Sequence, residues 1–319
     1  MDPLSFLRSS RVVIVAGKGG VGKTTVAAAL ARLAASEGLT TLVVEVEGRS
    51  GLAGLFGRAP LSYRESVLWK ADGGAEVRGR TLTPDEALLE YLEDHGLRRI
   101  SKRLAATGAI DVVSTAVPGI KDILVLGKVK QIERSGAVDL VILDAPAAGH
   151  AITFLLAARS LLDAVRVGPI QAQAREVLEL LADPERCSVV LVTIPEETPV
   201  NELVETAFAL EDKVGVKLGP VVVNELYPSL EGLEEDPAAA AEEAGTALRP
   251  GEAESLAAAA EFRRDRAALQ AEQLDRLAEG LPLPQLRLPF LFRADLGPDE
   301  VGLLAEALRK SVADLAPAP

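Results

Sequence analysis

Nine consecutive residues near the N-terminus of this 319-residue chain, Gly17-Lys18-Gly19-Gly20-Val21-Gly22-Lys23-Thr24-Thr25, satisfy the pattern GxxxxGK[ST]. The chemistry they point to is phosphate binding. Glycines allow successive backbone N–H groups to turn inward, at the positive end of a following helix. Lys23 is then placed to reach the β- and γ-phosphates of a nucleotide, and the Thr24 hydroxyl to ligate Mg²⁺. The flanking residues supply the required context. Arg11 to Ala16 (RVVIVA) reads as a buried strand, and Lys23 to Ser36 as a helix with Val26, Leu30 and Leu33 on one stripe.

Lys18 follows the first glycine, where an ordinary phosphate loop makes no fixed demand. A solvated lysine is one reading. The other is the deviant Walker A motif, which GKGGVGKTT resembles: the early lysine reaches across a dimer interface and stabilises charge on the partner's nucleotide, as an arginine finger does. Further along, VDLVILDAP places Asp144 at the tip of an apolar run, the Walker B arrangement. A carboxylate there can hold Mg²⁺ through a water beside Thr24. Pro146 to His150 (PAAGH) is small and hinge-capable, suited to a loop that senses the γ-phosphate.

GKGGVGKTT, DAPAAGH, Asn224 in VVVNELYP and Pro289 in LPFLFRAD together resemble the ArsA-type anion-transporting ATPases and their tail-anchored-protein targeting relatives, within the wider Min, Par and nitrogenase iron-protein class. The resemblance covers most of the chain. It implies a P-loop NTPase that binds ATP and Mg²⁺ and works as a dimer. Gly149 and His150 take the places of the switch II Gly-His, Asn224 that of the amide reading the adenine edge, and Pro289 and Phe290 those of the segment lining the base. The bland alternatives are a turn-capping Asn224 and a structural His150.

The sequence also departs from the family. Switch I, DPAHSL in the family, is Glu47-Gly48-Arg49-Ser50-Gly51-Leu52 here, so Glu47 replaces the water-positioning aspartate. Its extra methylene moves the carboxylate, and a displacement near 1 Å can cost about 100-fold in rate. Glu47 remains the expected activator, with Glu45 as second choice. Slow hydrolysis, or a heterodimer with a better-equipped paralogous ATPase, becomes a serious alternative to a homodimer. One cysteine (Cys187) and one phosphate loop argue against an arsenite pump. With Met1 as the sole methionine and no CxxC pair, tail-anchor capture through a methionine-rich groove and a shared zinc is disfavoured.

Strands must carry these groups to one place. Arg11 to Ala16, Thr40 to Val46, Val138 to Leu143, Ser188 to Thr193 and Pro220 to Val223 are short apolar runs without alternation, interleaved with helical patterns, and Gln285 to Leu288 is a further candidate strand. This predicts an α/β fold, a mostly parallel doubly wound sheet forming a single ATPase domain over 1–319. Residues 57–135 exceed a simple crossover and are expected to form a mostly helical insertion. Its marks are Thr83-Pro84-Asp85-Glu86, Leu97 to Ala106 and Pro118 to Glu133, with Tyr63, Trp69 and Tyr91 as packing aromatics. Its most apolar stretch, Pro118 to Leu126, is expected as core or as a client or partner site. Residues 231–280, rich in Ala, Glu and Arg, read as a helical hairpin arm broken at Pro250-Gly251.

With 34 Lys and Arg against 47 Asp and Glu, the net charge is −13, which disfavours nucleic acid as a partner. The last helix carries Asp299, Glu300, Glu306 and Asp314 against Arg309 and Lys310, which disfavours anionic lipid. A Min- or Par-type positioning ATPase is therefore the weaker reading. No apolar run reaches the ~18 residues of a membrane span, so a cytoplasmic protein without stable membrane insertion is expected. Cys187, in the run CSVVLV, is expected to be an inert buried thiol.

Overall fold

A computed structural model of the chain describes residues 1–46, 51–94, 96, 98, 99, 101, 103, 119–146, 148–164 and 168–315, without the side chains of 148–150. The β-branched runs pair into one sheet. Its strands are β1 (Val12–Gly17), β2 (Thr41–Val46), β3 (Ser66–Lys70), β4 (Glu76–Leu82), β5 (Leu140–Asp144), β6 (Cys187–Thr193), β7 (Lys217–Leu218), β8 (Val221–Leu226) and β9 (Gln285–Pro289). The order is β3-β4-β2-β5-β1-β6-β8-β9, with β7 beside β6, and every pairing is parallel except β3 with β4.

Residues alternate between two apolar layers. Val12, Ile14 and Ala16 of β1 enter the layer under α5 (Ile120–Ser135), α6 (Ala148–Ala164) and α7 (Pro169–Ala182), numbered after α1 (Pro3–Leu7), α2 (Lys23–Ser36), α3 (Leu52–Leu55) and α4 (Pro84–Asp94). Val15 enters the opposite layer, with Val26, Leu30 and Leu33 of α2 and Leu304 and Leu308 of the last helix. Burial on both faces explains why the five central runs lack alternation, whereas edge strand β9 alternates, with Leu286 and Leu288 buried and Arg287 exposed. β1 lies between β5 and β6, so the chain winds outward on both sides of it. The crevice at the carboxyl ends of the central strands is where such sheets bind ligands.

Residues 57–135 differ from the expected mostly helical insertion at their start. β3 and β4 form a hairpin that extends the sheet beyond β2. Their sequence hides this because β4 (EVRGRTL) is polar. Arg78 pairs with Glu76 at 2.9 Å, and the buried Arg80 lies 4.5 Å over the Tyr63 ring and 3.7 Å from Glu65. Gly79 leaves room there for Leu68, whose Cδ1 would stand 2.7 Å from an added Cβ and would have to shift. Helix begins only at Pro84, with Thr83 Oγ1 donating to Glu86 at 2.8 Å. The apolar stretch Ile120 to Leu126 in α5 is core: Ile120, Ile123, Leu124, Val125 and Leu126 are all buried, so they form no open client face. Residues 104–118, which hold the end of Leu97 to Ala106 and the Pro118 boundary, lie outside the described residues.

Beyond α8 (Glu197–Ala209), the segment 231–280 holds α9 (Pro237–Glu243) and the 29-residue α10 (Glu252–Gly280). Asp236 caps α9, and Gly251, with φ +79°, opens α10. Gln270, Gln273 and Leu277 anchor the second half of α10, whereas Leu256, Phe262 and Leu269 are exposed. The chain ends in α11 (Pro298–Ala313).

Candidate nucleotide-binding site

Gly17 ends β1 against β6, and a Cβ there would stand 2.3 Å from the Val192 carbonyl oxygen, so no other residue fits. Gly20 and Gly22 have φ of +87° and +86°, a left-handed backbone that glycine adopts without steric cost. The loop from Gly17 through Lys18, Gly19, Gly20 and Val21 then enters α2 at Lys23. The first amides of α2 precede its first backbone bond, from Val26 N–H to Gly22 C=O at 2.9 Å, and are the donors an anion would meet. Lys23 Nζ lies over the loop and donates to the Lys18 carbonyl at 2.9 Å. Burial lowers its pKa from the ordinary value, with Asp144 acting in the opposite sense.

The Thr24 hydroxyl donates to Asp144 Oδ2 at 2.7 Å, bringing together the two groups singled out for Mg²⁺. Register fixes this meeting: Asp144 stands beside Val15 on β1 and beside Glu45 on β2. A hydroxyl and a carboxylate in contact are hard oxygen donors that fit Mg²⁺. Among the described residues no group of three His, Cys, Asp or Glu could hold a metal, so phosphate oxygens and water would have to complete the shell. Glu45 is buried and accepts from the Thr81 hydroxyl at 3.2 Å. Glu47 lies outside the described residues, and so does Ala147; the switch II segment is followed only as the backbone start of α6.

Lys18 points sideways. Its Nζ forms a 2.6 Å ion pair with Glu202 on α8.

Asn224, Pro289 and Phe290 meet at one pocket of about 230 Å³, together with Gly22 and Thr25 of the loop. Asn224 is 5% exposed, and its Nδ2 donates to the Val21 carbonyl at 3.1 Å, tying the loop to β8. The strand is bulged here: β8–β9 pairing skips between Val223 and Leu226, and Glu225 has φ +63°. Gln270 of α10 clamps the bulge, its Nε2 donating to the Glu225 carbonyl at 3.1 Å and its Oε1 accepting from Tyr227 N–H at 2.8 Å. Burial, and secondarily Glu196, raises the Glu225 carboxyl above its ordinary range. At the edge of the pocket Phe290 clusters with Tyr227 and Phe292 at ring separations of 4.7–5.4 Å, and the Arg263 guanidinium lies 4.6 Å from Tyr227 and 4.8 Å from Phe292.

Sequence reasoning missed Glu202, Glu225, Gln270 and Arg263. They lie in charged helical runs or beside a bulge, where residue type and spacing carry no signal.

Residues 10–167 match the model of the Anion-transporting ATPase family. ATPase BagA of Mycobacterium tuberculosis is 36% identical over 234 residues, which span 70% of this chain and 68% of that protein. The chain belongs to the anion-transporting ATPase family. A Halobacterium salinarum protein named as a candidate arsenical pump-driving ATPase is 26% identical over 94% of this chain and 44% of its own length. ATPase GET3B of Arabidopsis thaliana is 24% identical over 67% and 64%. As a family member the chain is an ATPase, and its mostly parallel, helix-flanked sheet is the matching P-loop fold. Among the described residues no helix is long and apolar enough to cross a membrane.

Proposed function

We propose that this ATPase is a Mg²⁺-dependent dimeric switch in the cytoplasm, closing on ATP and opening after hydrolysis. The observation that carries the reading is the Thr24–Asp144 contact beside a phosphate loop whose lysine is folded onto its own backbone. In the proposed cycle the first-turn amides of α2 and the Lys23 ammonium bind the β- and γ-phosphates, so Lys23 exchanges the Lys18 carbonyl for phosphate oxygens. Thr24 and, through water, Asp144 would hold Mg²⁺, which supplies charge neutralisation between the phosphates. The Asn224 carboxamide, already aligned by Val21, reads the adenine edge while Pro289 and Phe290 cover the base. Glu47 orients the attacking water, with Glu45 as the alternative. Lys18 crosses to the partner's nucleotide and stabilises charge on the transferring phosphoryl group.

Switch I (Glu47 to Leu52) and switch II (Asp144 to His150) carry the γ-phosphate signal into the helices of 84–135, where a client or partner protein binds. The partner subunit is a second copy or a paralogous ATPase; the Glu47 substitution gives weight to the paralogue. A Min- or Par-type role at membrane or DNA is disfavoured by the net charge of −13.

Molar mass by light scattering with ADP, ATP and a phosphate transition-state mimic, alongside phosphate release, tests this on wild type and Lys18→Ala. ATP-driven dimerisation with turnover lost in Lys18→Ala supports it. A wild-type chain that hydrolyses ATP as a monomer overturns it.

A further inference from the structure

At the opposite end of the sheet from the phosphate loop, the face under α2 opens into a second cavity of about 540 Å³, within the size range of small-molecule sites. Its walls are apolar: Phe6 of α1, Val13, Leu218, Leu283 and Leu315 line it, with Leu30 of α2 above. The order of side chains across its floor is informative. Strand register places Ile142 beside Val13, Val13 beside Ser188, and Ser188 beside Lys217. Register partners in a parallel sheet share a face, so these four residues form one row across β5, β1, β6 and β7, and all four line the cavity. The row runs from two aliphatic side chains to a hydroxyl and then to an ammonium group.

Neither polar group in the row is used by the protein. Ser188 is 5% exposed, and its hydroxyl has no hydrogen-bond partner among the described residues. Lys217 is exposed at the rim, and among the described residues no carboxylate lies within ion-pair distance of it. Strands lie about 4.8 Å apart, so the two aliphatic positions give roughly 10 Å of apolar floor ending at a donor pair.

We propose that this cavity binds a medium-chain aliphatic carboxylate, its chain across Ile142 and Val13 and its head accepting hydrogen bonds from Ser188 and Lys217. The site is independent of the nucleotide reading, and it touches β1 and α2, the two elements that flank the phosphate loop.

Calorimetric titration of the full-length chain with decanoate, and with 1-decanol as the uncharged control, tests this. Saturable one-to-one decanoate binding is expected. Lys217→Glu should weaken decanoate about tenfold and leave 1-decanol unchanged. Val13→Phe, which fills the floor, should weaken both ligands. Ser188→Leu fills the same space and removes the hydroxyl donor, so it serves if Val13→Phe does not fold. Absence of saturable binding overturns the proposal, as does decanoate affinity that none of the three variants changes.

Discussion

Gly22 bears two constraints at once. Its φ of +86° costs an L-residue about 1–2 kcal/mol, and an added Cβ would stand 2.4 Å from Asn224 Nδ2. Asn224 cannot move aside without releasing the Val21 carbonyl, so Gly22→Ala disturbs the loop and the Asn224 pocket together. Its ATP affinity should fall by at least about tenfold in a titration, while the unfolding midpoint falls only a few degrees. Asn224→Ala removes the tether without the steric clash; it should raise KM for ATP and reduce the preference over GTP in the same assay. Cys187 makes a contrasting case. Fully buried in β6, its thiol is pushed up from 9.0 to about 12 by burial. A protonated, inaccessible thiol resists alkylation, so iodoacetamide at pH 8 should label it only once denaturant unfolds the chain, as read by mass spectrometry. Between pH 9 and about 12 the native state keeps a proton that the unfolded state releases, so this group lowers stability as pH rises through that range.

The elements that sequence revealed are those whose burial leaves a one-dimensional trace. β1, β2, β5, β6 and β8 are apolar on both faces, and the phosphate loop declares itself because glycine is needed at Gly17, Gly20 and Gly22 for backbone reasons. β3 and β4 left no such trace, because β4 buries the charged Arg80 against an ion-pair partner, Glu65, and a ring, Tyr63, that come near it only after folding. The same holds for α10. It reads as a solvated arm, yet Gln270, 5% exposed, joins both sides of the β8 bulge that aims Asn224. Gln270→Leu would leave the Tyr227 N–H and the Glu225 carbonyl without this partner, at a cost of about 1–3 kcal/mol. Because the bulge acts directly on the Asn224 pocket and reaches the phosphate loop only through the Val21 tether, KM for ATP should rise with kcat little changed. Arg263→Ala, which strips the cation from the far side of the aromatic cluster at the pocket's edge, should change KM less. Equal effects of the two variants on KM would show that α10 supports the pocket only through general packing.

At the scale of the whole molecule, the question is what an unassembled chain does with Lys18, whose charge the proposed dimer would deliver to another subunit. Here Lys18 is held in cis by Glu202 at 2.6 Å, with side-chain exposures of 35% and 41%. A pair that exposed is worth at most about 1 kcal/mol, whereas a lysine meeting nucleotide phosphates in a closed interface makes charge-assisted bonds that are roughly twice as strong as neutral ones. The cis pair can therefore keep Lys18 off its own loop without preventing transfer to the partner's nucleotide. Glu202→Gln should accordingly make ATP-driven dimerisation easier by no more than about fivefold, since 1 kcal/mol corresponds to about that factor. Lys18→Ala should abolish accelerated turnover altogether. The Lys18→Ala, Glu202→Gln double variant separates the explanations. If Glu202 acts only through Lys18, the double variant matches Lys18→Ala in both molar mass and phosphate release. If it dimerises more readily than Lys18→Ala, the acidic face of α8 opposes assembly by its own charge, and the effect should shrink as salt is raised from 0.05 to about 0.3 M.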